Sequence, residues 1–153
     1  MSVLATVRPD SWNFPLFVHV LGAMILVGGL VAGTSALVFA RGDAKLLRLG
    51  FWSLMLVSFP GWIIMRLGAQ WIASKEHLNN LPDNPTWLGI GSLVADAGGL
   101  VLVITLIIGG IGVRRLQAGK SAGLRLLKAV LVLSLVLLAA YVVAVWAMAG
   151  KPG

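Results

Sequence analysis

Arg66 and Asp96 each interrupt an apolar run long enough to cross a bilayer. Opposite charges at one depth on neighbouring helices can neutralise each other, orient a polar ligand or take part in proton transfer. Depth follows from a helical rise of about 1.5 Å per residue. Counted from ends near Ser74 and Trp87, Arg66 lies about 12 Å and Asp96 about 14 Å inside. Successive spans run in opposite directions, so the two are expected to meet. An isolated charge at that depth costs on the order of 3 kcal/mol, which makes mutual pairing the least costly arrangement. Arginine stays charged in any case, whereas an unpaired aspartic acid there would take up a proton.

Further polar residues fall near this pair at one-turn spacing, as a hydrogen-bonded network requires. Gln70 stands one turn from Arg66 and Ser92 one turn from Asp96. Tyr141 lies at a comparable distance from the end of its own run, with Ser134 two turns deeper, and His19 sits nearer the surface of the first. Together His19, Arg66, Gln70, Ser92, Asp96 and Tyr141 form the candidate site for binding or proton relay. Gly22, Gly29 and Gly33 follow His19 at nearly one angle, and Gly29-x-x-x-Gly33 is a close-packing spacing. His19 is therefore expected to face another helix or a second subunit. The bland alternative is that the ion pair only specifies which helices pack together.

The elements that must position these groups are helices of one type. A composition of 59% hydrophobic and 11% charged residues has no soluble globular reading. Four stretches, Phe14–Phe39, Leu49–Ile72, Trp87–Val113 and Leu126–Ala149, can each span the roughly 20 residues a bilayer requires. They predict an all-α polytopic membrane protein: a single domain over 1–153, folded as a four-transmembrane-helix up-down bundle. Asp10, Ser11 or Asn13 can cap the first helix, with Pro15 in its opening turn. Pro60-Gly61 predicts a kink midway through the second. The middle loop, Ser74–Thr86, is polar, with room for a short surface helix before Pro82. Its Glu76, His77 and Asp83 match no named metal-site spacing.

The net charge is +7, and its placement matters more than its sum. Arg41, Lys45 and Arg48 occupy the first connection, and Arg114, Arg115, Lys120, Arg125 and Lys128 lie in or beside the third. The positive-inside rule places both basic turns in the cytoplasm and both termini outside, in the cell membrane. No aromatic and basic platform accompanies these charges, so nucleic acid is not an expected partner. Trp12, Trp71, Trp87 and Trp146 near one set of helix ends, and Phe51 and Trp52 near the other, match an interfacial belt. Only Trp62 falls deeper. The first thirteen residues lack the features of a cleaved signal, so the first span is expected to be retained. The absence of cysteine excludes disulfides, Fe–S clusters and thiol catalysis.

The chemistry that remains is narrow. His19 is the one histidine in a membrane run, so haem or copper would need further ligands from a second subunit or partner. A proton relay needs Asp96, His19, Tyr141 and water. A quinone-like or lipid-like ligand needs a groove with one or two donors. No nucleophile–base pair or metal triad occurs at helical spacing, so no enzyme is expected.

The segment Phe17-Val18-His19-Val20-Leu21-Gly22-Ala23-Met24-Ile25-Leu26-Val27-Gly28-Gly29 resembles the first-helix pattern of small four-helix membrane proteins related to the copper-resistance protein D membrane domain. That resemblance implies His19 as a metal ligand on the outer side and a role in copper or haem-linked respiratory physiology. The chain departs from it in lacking a second membrane histidine. The leading expectation is a membrane protein with a buried polar site in the outer half of the bilayer that binds or conducts a proton, metal ion or quinone- or haem-like ligand. The alternative is a non-catalytic accessory subunit of a larger membrane complex. Either is expected to contact membrane lipid and to assemble as a homo-oligomer or within that complex.

Overall fold

The computed structural model describes the backbone of residues 10–75 and 86–150, with side chains from Asn13 onward. It contains α1 (Asp10–Phe39), α2 (Ala44–Ser53), a π-helical turn (Leu54–Ser58), α3 (Phe59–Lys75), α4 (Thr86–Gln117) and α5 (Ala122–Gly150). The second, third and fourth of these elements run on as one span, giving four helices long and apolar enough to cross a membrane. The chain is a multi-pass four-helix membrane bundle. Among the described residues there is no strand. The expected loop helix and the Glu76, His77 and Asp83 grouping lie outside the described residues.

Every helix continues past its apolar run: α1 begins at Asp10, the second span runs from Ala44 to Lys75, α4 reaches Gln117 and α5 starts at Ala122. Polar residues at the interface extend the backbone ladder at no cost in desolvation, so hydropathy alone understates helix length. Pro15 accordingly sits inside α1, buried, instead of in its opening turn. The basic turns are closed by local rules. In the first, Arg41 at φ 43° and Gly42 at φ 95° reverse the chain. Asp43 then caps α2 by accepting from the Lys45 N–H at 2.8 Å. In the third, Gly119 at φ 69° ends α4, and Lys120 N–H returns to the Arg115 carbonyl at 2.9 Å.

Just before Pro60, where a kink is expected, the span takes a π turn in which Phe59 N–H reaches the Leu54 carbonyl five residues back. Proline has no donor and its ring crowds the carbonyl four residues before it. Widening the preceding turn accommodates both faults.

Large apolar side chains cover the outside, among them Leu93, Leu100, Val132, Val142 and Trp146. That inverts the pattern of a soluble protein and suits a lipid solvent. The core runs down the bundle through Leu26, Leu30, Leu54, Leu102, Leu127, Val130 and Leu137. Packing is uneven. α1 lies closely along α3, and α4 along α5; α1 also touches α5, whereas α3 and α4 meet only lightly. Small residues explain the first pairing. A Cβ at Gly61 would lie 2.5 Å from the Leu26 nitrogen, and one at Gly68 would lie 2.5 Å from the His19 nitrogen. Gly29 meets Ser58, and Gly33 meets Leu54, so the expected close-packing face of α1 is in place. The Ser53 hydroxyl donates to the Gly29 carbonyl at 3.2 Å. The bundle is thus two tight hairpins with a loose seam between α3 and α4.

Candidate functional site

The ion pair spans that seam. Arg66 on α3 donates from Nη2 to Oδ1 of Asp96 on α4 at 2.5 Å. Its location corrects one expectation. The pair is not enclosed by the four helices: the Arg66 side chain is 29% exposed and that of Asp96 59%. α4 packs chiefly on α5, which turns the Asp96 face of α4 toward the bundle perimeter. Within a bilayer this places a carboxylate and a guanidinium at a lateral opening.

One turn before Arg66 on the same face of α3 is Trp62, whose indole N–H donates to the Ala95 carbonyl at 2.9 Å. Its ring lies over Gly99, where a Cβ would collide with it. It also stacks on Phe59 at 6.2 Å between centroids and 16° between planes. Trp62 and Arg66 together clasp residues 95, 96 and 99 of α4. Trp62 was not among the candidates from sequence; its four-residue spacing from Arg66 and the Asp96-to-Gly99 spacing opposite were the available clues. Trp62→Phe removes the hydrogen bond while keeping the stack. It is expected to lower stability by about 1 kcal/mol, read as a small downward shift of the thermal transition in detergent.

The wider network does not assemble. His19 packs against α3, as expected for a histidine facing another helix, and its Nδ1 lies 2.9 Å from the Met65 carbonyl. A carbonyl only accepts, so Nδ1–H donates to it. Ser92, although one turn from Asp96, is exposed and donates to Gly89 of its own helix at 3.1 Å. Gln70 is exposed near the end of α3. Tyr141 is buried on the opposite side of α4: its hydroxyl lies against Gly98, and no described residue hydrogen-bonds to it. Gly98 and Asp96 are two residues apart, which is about 200° around a helix. Ser134 is likewise turned inward, donating to the Val130 carbonyl at 2.7 Å.

Among the described residues no three His, Asp or Glu side chains are grouped to hold a metal ion. Among the described residues His19 supplies the one imidazole, so a copper or haem site there would need further ligands. The site is therefore an Arg–Asp pair with a tryptophan clasp at an open helix seam in a four-helix membrane protein. No family model, curated protein or solved structure matches the chain.

Proposed function

We propose that this protein binds a lipophilic small molecule with a polar, quinone-like head at the α3–α4 seam. In this reading Arg66 donates to the head group, and Asp96 orients and neutralises Arg66. The observation that carries it is an ion pair bridging two otherwise weakly packed helices, with its carboxylate 59% exposed inside a membrane-length span. Charged groups at such a position are a functional feature by default. Lateral exposure gives a ligand dissolved in the bilayer a direct approach. Binding fits better than proton conduction, because His19 is engaged with the Met65 carbonyl and Tyr141 lies against Gly98. Neither continues a hydrogen-bonded path from Asp96. The proposed setting is the cytoplasmic membrane, with both basic turns inside, both termini outside and the pair in the outer half.

A photoreactive short-chain benzoquinone added to the protein in lipid nanodiscs tests the reading. Saturable labelling of α3 near Arg66 and α4 near Asp96, lost in Arg66→Leu and in Asp96→Asn, is the expected result. Labelling that does not saturate, or that both variants retain, overturns it.

The same exposed carboxylate favours a second reading, in which a helix from another protein covers the seam and the chain is an accessory subunit. Gentle extraction separates the two. A stoichiometric partner crosslinking to α3 and α4 supports the accessory role, and a lone homodimer counts against it. A copper or haem-linked role follows only if that partner, or a second copy, supplies ligands beside His19.

A further inference from the structure

We propose that the groove on the other side of the Trp62 clasp binds one acyl chain of an anionic phospholipid, with Arg114 taking the phosphate. The lipid comes from the leaflet that faces the basic turns. This site is separate from the ion pair. The two occupy opposite sides of Trp62 and draw on different ligands.

The groove has a volume of about 590 Å³ and lies between the α2 and π-turn face and the half of α4 nearer Gln117. One wall is Phe51, Trp52 and Met55; the facing wall includes Ile107 and Gly110. Polar side chains enter its lining only at Arg114 and Gln117, both at one end. From Val103 to Arg114 the groove follows α4 for eleven residues, or about 16 Å. That is close to half of a hydrocarbon core about 30 Å thick, the depth of one leaflet. Phe59, stacked on Trp62, lines the end away from Arg114.

Two details point to an occupant and to its charge. Gly110 is not required by helix packing: a Cβ there would meet only Phe51, at an ordinary 3.8 Å. Its missing side chain leaves room in the groove. Arg114 has no ion pair with a described residue. It stands at the end of the molecule that also carries Arg115, Lys120, Arg125 and Lys128. An apolar slot of leaflet length, ending in a guanidinium with no ion pair to a described residue, matches a phospholipid with a net negative head.

Native mass spectrometry of the full chain, released from mild detergent with equal phosphatidylglycerol and phosphatidylcholine of identical acyl chains, tests the proposal. The wild type is expected to retain phosphatidylglycerol about fivefold more than phosphatidylcholine. Arg114→Gln should bring the ratio near one, Arg114→Lys should restore most of the preference, and Gly110→Leu should lose both adducts while keeping the wild-type melting profile. A Lys120→Gln, Arg125→Gln double variant should keep the preference, and free inorganic phosphate should not compete. The proposal is overturned if Arg114→Gln keeps the preference, or if the double variant erases it equally. Unchanged lipid retention in Gly110→Leu, or competition by phosphate, also overturns it. Failure here leaves the benzoquinone experiment unaffected, since that probe reports on Arg66 and Asp96.

Discussion

Gly22→Leu is expected to prevent α1 and α3 from docking, the largest structural effect of any single substitution considered. A side chain at Gly22 points into the backbone of the facing helix, with the Met65 nitrogen and Cα and the Ile64 carbonyl carbon all closer than a real Cβ is ever found. Backbone cannot rotate aside as a flexible side chain can. The helices must separate, which also forfeits the neighbouring contacts at Gly61 and Gly68 and the His19 hydrogen bond to Met65. Overpacking typically costs about 1–3 kcal/mol, and a clash with backbone belongs at or above the top of that range. Gly28 supplies the control: a Cβ there meets nothing within 4 Å, so Gly28→Leu should melt with the wild type. Thermal denaturation of both variants in the same detergent checks the pair of outcomes. Equal melting would show that the α1–α3 interface is not as close as described.

Removing one member of the ion pair should do more harm than removing both. Asp96→Leu leaves Arg66 charged at a lipid-facing position, which costs on the order of 3 kcal/mol. Arg66→Leu is expected to be milder, because the stranded carboxylate can take up a proton. The double replacement leaves no charge to desolvate, so its melting temperature should return close to that of the wild type. A thermodynamic cycle over the four proteins reads this directly. Binding then separates function from packing. If the double variant regains stability yet no longer takes the benzoquinone label, the pair serves a ligand. If it regains stability and loses nothing, the pair serves helix order.

The four spans were legible because bilayer thickness fixes a length that few other structures demand. Their ends were less so, since residues such as Ala44, Lys75 and Gln117 extend the helices through the interface without contributing apolar character. The meeting of Arg66 and Asp96 was legible for a similar reason: depth needs only residue counting and opposed directions. The network around them depended on rotation about each helix axis, which is set by the neighbour that packs most closely. α4 lies on α5, so Tyr141 meets Gly98 while Asp96 faces the seam. Nothing in the sequence of α4 alone fixes that angle. Pro60 announced a disturbance, but not the widened turn that precedes it. The π turn that results lies against α1, where Gly29 meets Ser58, so the choice rested on a tertiary contact.

The uneven packing gives biosynthesis an order. Once Lys75 has left the ribosome, everything the first half of the molecule holds most tightly already exists, and it can settle in the bilayer before α5 has emerged. The second half follows as its own unit. The last step of maturation is then the docking of two finished pieces, with Trp62 and Arg66 closing after each piece has formed.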